Sequence, residues 1–165
     1  MLNKQQGVGL IEVLVALIIL SIGFLVSANM QIRGMRSNQH AYHQSQATLL
    51  LGEMMDRMRN NRAGTAAGDY DDRSTGALTK PTCFNTGCDP AGIADLDMFE
   101  WSANLQPLRS ESNFVAMLPP APDGVPAVGS ISDPDVNGVY TLSVTWQQVE
   151  GGSTTTESVQ LNFVP

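Results

Sequence analysis

Cysteine, histidine and charge are all scarce in this chain. Two cysteines among 165 residues exclude a disulfide-dense scaffold, and no CxxC or Cys/His spacing suggests a structural zinc site. Charged residues make up 15%, well below the ~25% of ordinary soluble domains. Nine basic residues stand against sixteen acidic ones, and the net charge of −7 argues against a nucleic-acid binder. There is no glycine-rich phosphate loop and no nucleophile elbow. The expectation is a protein without catalytic residues, cofactor or metal.

What is present divides the chain in two. Up to Arg62 there are six basic and three acidic residues, a net of +3. From Ala63 onward three basic residues face thirteen acidic ones, a net of −10. Such asymmetry means the two parts meet different surroundings.

The first surrounding is apolar. Val8 to Ala28 reads VGLIEVLVALIILSIGFLVSA, with Glu12 its only charge. As a helix it spans ~31 Å, about the thickness of a bilayer core. A carboxylate there costs a few kcal/mol or more and asks for a partner. Three readings compete. A permanent anchor would leave Glu12 snorkelling or protonated. A secretory signal cut after Ala28 explains neither Glu12 nor a length beyond the usual apolar core of about 7–15 residues. The third takes Met1–Gly7 as a polar leader cut before Val8. The new α-ammonium would then lie four residues, or ~6 Å, before Glu12. One subunit's Glu12 could neutralise a neighbour's N-terminus and so set axial register.

The stretch KQQG-VGLIEVLVALIILSIG resembles the class III signal of type IV prepilins: a short basic leader ending in Gly7, then a Glu five positions past the cut. Val8 stands where Phe is usual, and Gly9 where Ser or Thr is usual. The resemblance implies cleavage between Gly7 and Val8 by prepilin peptidase, and methylation of the new N-terminal nitrogen. It also assigns Glu12 the family's assembly role.

Between Asn29 and Asn61 there is no proline. An apolar stripe runs through Met30, Gly34, Ala41, Ser45, Thr48, Leu51, Met55 and Met58, widened by Leu49, Leu50 and Met54. This predicts one helix from about Val8 to Asn61, with Arg57, Arg59 and Arg62 at its C-terminal end and Gly64 as the stop. His40 and His43, at i and i+3, read as a solvated face rather than a metal pair. Ala47–Asp71 (ATLLLGEMMDRMRNNRAGTAAGDYD) resembles the helix-closing segment of PilV-type minor pilins.

Ala63 to Lys80 reads as an extended loop. Cys83 and Cys88, in PTCFNTGCDP, are expected to form a disulfide in an oxidising compartment. Asp89-Pro90 supplies an N-cap with Pro at the first helical position. Ala94, Met98, Trp101 and Leu105 then predict an amphipathic helix over 90–106, ended by Pro107, with Trp101 as a core anchor. Tyr140, Leu142, Val144 and Trp146 alternate with polar residues, and Val159, Leu161 and Phe163 share a face of the next strand. Gly151-Gly152 marks the hairpin between them. Further strands are expected near Val125–Ile131 and Phe114–Leu118. Asp133-Pro-Asp135-Val-Asn137-Gly138 matches the first half of a calcium loop, but Val144 stands where the bidentate Glu is required. The same residues also make a tight turn.

The fold class expected is α+β: a type IV pilin arrangement, with a long N-terminal helix packed on a small antiparallel sheet and a short extra helix. The parts are a leader (1–7), a hydrophobic membrane or filament-core helix (8–28), its amphipathic continuation (29–62) and an acidic head (63–165). The resemblance implies a minor pilin for type IV pilus assembly or priming. Its partners would be prepilin peptidase, other major and minor pilins, the inner-membrane assembly platform and a tip adhesin. The head would face the periplasm and later the cell surface, where such pili serve adhesion and twitching motility. The alternatives are a minor pseudopilin of a type II secretion system and a membrane-anchored periplasmic binding domain.

Overall fold

The computed structural model describes residues 9–76, 78–106, 116–120, 123–150 and 152–165. It forms two compact units, Met1–Tyr42 and His43–Pro165. Helix α1 (Leu10–Asn60) starts in the first and ends in the second. Its residues up to Tyr42 are helical without interruption, because the run from Leu10 has no proline and two backbone-competing side chains bond within the helix. Ser21 Oγ donates to the Leu17 carbonyl at 2.7 Å and Asn29 Nδ2 to that of Leu25 at 3.1 Å.

The second unit is the α+β body of the fold. Its elements are the end of α1, α2 (Arg62–Ala67), β1 (Arg73–Ser74), a 3₁₀ turn (Thr82–Asn85), α3 (Pro90–Leu105), β2 (Val128–Ile131), β3 (Tyr140–Glu150) and β4 (Ser153–Phe163). The four strands make one antiparallel sheet in sequence order. Its register sets Leu142 against both Ile131 and Leu161, and Val144 against Val159. Alternation therefore gathers Tyr140, Leu142, Val144, Trp146, Ile131 and Phe163 on one buried face.

Onto that core pack Ala47, Leu50, Leu51, Met54 and Met58 of α1, and Ala94, Met98, Trp101 and Leu105 of α3. Each large apolar side chain so buried contributes about 1.5–3 kcal/mol. Trp101 is fully buried, and its Nε1 donates to the Leu50 carbonyl at 3.1 Å, which ties α3 to α1. The backbone of β2 comes so close to the indole that a Cβ at Gly129 would lie 2.5 Å from its ring.

Several expectations are corrected. The buried stripe of α1 is Ala47, Leu50, Leu51, Met54 and Met58; Thr48 and Leu49 are exposed, as are Met30, Gly34 and Ala41. Helical periodicity was right, but residues before Ala47 have no core of their own to cover. Gly64 does not stop the helix. The break is at Asn61, whose side chain accepts from the Gly64 amide and so caps α2. The stop is Gly68, left-handed at φ 83°.

Residues 63–80 are accordingly more than a loop, since they hold most of α2 and all of β1. Near 125–131 only Val128–Ile131 is strand. Met117 and Leu118 form a bend, and Leu118 is buried as a core residue, not a strand residue. Phe114, Pro107 and Gly151 lie outside the described residues.

Candidate functional site

Gly7 and Val8 also lie outside the described residues. Glu12 is in the first turn of α1, exposed, with its amide donating to the Gly9 carbonyl at 2.9 Å. Around and beyond it, the large apolar side chains from Leu10 to Met35 are 44–79% exposed. Among the described residues of this unit nothing covers them. The only helix among the described residues that is long and apolar enough to cross a membrane is α1, through this part. An uncovered apolar helix needs lipid or other helices around it. In such surroundings an ionised carboxylate at Glu12 is costly unless it is paired.

Cys83 and Cys88 are joined in a disulfide. The bridge closes the segment leading into α3 and lies on the first turn of that helix, where a Cβ at Gly92 would be 3.0 Å from Cys83 Sγ. Asp89 caps the same turn, its Oδ1 accepting from the Gly92 amide at 2.8 Å. Such a short covalent loop adds about 2 kcal/mol. His40 and His43 stand on α1, with His43 the first residue of the second unit.

Asp135 acts as the pivot of a turn. Its Oδ1 accepts from the amides of Asn137 and Val139 at 2.8 and 2.9 Å, and these bonds hold its carboxyl below the usual carboxylate range. Gly138, at φ 76°, leads into β3. These bonds make an Asx turn of the kind that closes tight loops.

A polar network at the end of α1 escaped the sequence reading. Asp97, nearly fully buried on α3, accepts from Arg57 Nη1 at 3.0 Å and from the Tyr70 hydroxyl at 2.6 Å. Arg57 also pairs with Glu53 at 2.7 Å and Glu100 at 2.7 Å. Asn61 Nδ2 donates to Tyr70 Oη and to the Pro90 carbonyl. Burial works against the Arg57 charge, but the bonds to three carboxylates outweigh it and push its pKa up. Burial first, and the bond to Asp97 next, push the Tyr70 phenol up.

Across the sheet, the Tyr140 hydroxyl donates to Asp71 at 2.8 Å, and burial with that carboxylate pushes it up to about 12. The signal was present. Asp97 falls beside Met98 on the apolar stripe of α3, where a charge must be paired.

The contacts of Arg57, Asn61, Tyr70 and Asp97 tie the end of α1, the cap of α2 and α3 into a structural clamp. Groups of three or more metal-binding side chains are absent among the described residues.

Residues 2–28 match the prokaryotic N-terminal methylation motif. Residues 29–99 match the Tt1218-like family, described as Type IV pilin Tt1218. The second match spans every member of the clamp, from Glu53 to Asp97, except Glu100. No curated protein and no solved structure matches the chain. In these two stretches and in its α+β body the chain is similar to type IV pilins that carry a prepilin-type signal.

Proposed function

We propose that the chain is a minor pilin of the PilV type, which enters a type IV pilus through α1 and takes part in priming its assembly. The observation that carries this reading is an uncovered apolar helix, with Glu12 in its first turn, inside a match to the N-terminal methylation motif. Prepilin peptidase cuts after Gly7 and methylates Val8. The resulting ammonium lies about one helical turn from Glu12. In the apolar interior of a helix bundle that cation and a neighbour's Glu12 lower each other's burial cost.

Before assembly the chain waits in the bacterial inner membrane with its head in the periplasm. Its partners are other major and minor pilins, the assembly platform and a tip adhesin. The PilV likeness of Ala47–Asp71 supports a pilus over a type II secretion system.

The test is the N-terminus and intact mass of the protein from its native membranes, paired with Glu12→Ala. Expected is a chain starting at Val8 and one methyl group heavier. The variant should be processed normally yet fall about tenfold or more in sheared filaments, a difference of about 1.4 kcal/mol per subunit. A chain starting at Met1 or Asn29 overturns the reading. Loss of protein secretion on deletion, with piliation intact, makes it a pseudopilin.

A further inference from the structure

The middle of α1 carries two positive charges in a unit whose sequence holds a single acid, Glu12. Arg33 and Arg36 are exposed and belong to none of the ion pairs among the described residues. From Val13 to Gly52 the sequence has no aspartate or glutamate. The nearest acids along the helix are Glu12 and Glu53, about 30 Å before Arg33 and about 25 Å after Arg36. Both lie well beyond the ~8 Å over which charges act in physiological salt. Within Met1–Tyr42 the sole acid is Glu12. Any counter-charge for these arginines therefore comes from outside the unit.

Their position says what kind of group supplies it. Arg33 lies ~8 Å and Arg36 ~12 Å beyond Ala28, the end of the apolar run. The headgroup layer on each side of a bilayer core is about 5–8 Å thick. Side chains on a helix lean toward its N-terminus, here back toward the apolar run, and arginine stems reach several ångströms further. The spacing Asn29, Arg33, Arg36, His40 places all four on one face, with Gly34, Asn38 and Ala41 opposite. Guanidinium forks match phosphate oxygens in pairs, and such charge-assisted bonds are the strong ones.

We propose that Arg33 and Arg36 form a collar that binds the phosphates of membrane phospholipids, on the leaflet facing the head, while the subunit waits for assembly. This rests on the reading of α1 as a membrane anchor. The collar fixes the depth of the helix in the bilayer and must release its lipids when the subunit is extracted into a filament. It also sets positive charge at the base of a head whose own sequence is strongly acidic, which an anionic bilayer alone would repel.

The test uses the full chain with ¹³C at arginine Cζ. It is reconstituted in vesicles of phosphatidylethanolamine and phosphatidylglycerol in phosphate-free buffer. Resistance to alkaline extraction reads insertion, and carbon–phosphorus dipolar dephasing reads contact. Expected is dephasing of the signal from two of the seven arginines, at a separation of about 4 Å set by a guanidinium–phosphate bond, and its loss in Arg33→Gln/Arg36→Gln.

An inserted chain without dephasing overturns the collar and leaves the anchor standing. Dephasing that persists in the double variant assigns the contact to other arginines and also overturns the collar. A chain that does not insert removes the anchor and the collar together.

Discussion

Single residues show how this head is held. Asp97 serves two donors from positions 40 and 27 residues away, and neither partner is visible in the local pattern that makes Asp97 a helix residue. Asp89 and Trp101 were legible because their roles follow from near neighbours, a proline at the next position and apolar residues at helical spacing. Asp97→Ala leaves the Tyr70 hydroxyl with one partner and Arg57 with two. It should cost about 2 kcal/mol in a urea titration, less than a fully buried ion pair because Arg57 is half-exposed.

Tyr140 gives a pH prediction. Its folded pKa lies above the ordinary 10, so its contribution is whole below pH 10 and is lost as pH rises to about 12. The chain should lose stability across that window. Tyr140→Phe should lose less there, while being about 1 kcal/mol less stable at neutral pH, as urea midpoints across the range would record.

At the scale of elements, the start of α3 at Asp89-Pro90 was legible and the break between α1 and α2 was not. The alternation in β3 is intrinsic to the sequence and stands in the structure, whereas of the stripe read along α1 only Leu50, Leu51, Met54 and Met58 are buried. The α1–α2 break was hidden because Asn61 stops one helix by capping the next, using a Gly64 amide brought close only after the turn. The extent of the buried stripe was hidden as well, because spacing shows which face of a helix is apolar but not where its cover begins. Strand β2 was partly legible. Its glycine, which a sequence reading discounts, is what lets Trp101 come so close to the sheet. Gly129→Ala forces a Cβ into the indole 2.5 Å away, in a place closed by β3 on one side and β1 on the other. It should destabilise the head by about 2–3 kcal/mol, measured by thermal or urea unfolding, while Gly138→Ala pays only for its backbone turn.

For the molecule as a whole, every core residue lies at or after Ala47. A fragment of residues 43–165 should therefore dissolve without detergent and unfold in one cooperative transition. Two separate transitions in that fragment would contradict a single core. The full chain needs detergent or lipid for its first 42 residues alone. This division has an optical consequence. Both tryptophans lie in the second unit, Trp101 with its indole bonded to Leu50 and Trp146 with its Nε1 unbonded, and the first unit has no tryptophan. Tryptophan emission, excited selectively, therefore has no reporter between Met1 and Tyr42. A red shift reports that the head has opened, and an unchanged spectrum during transfer from detergent to lipid, or from lipid to filament, reports that the head made the journey intact.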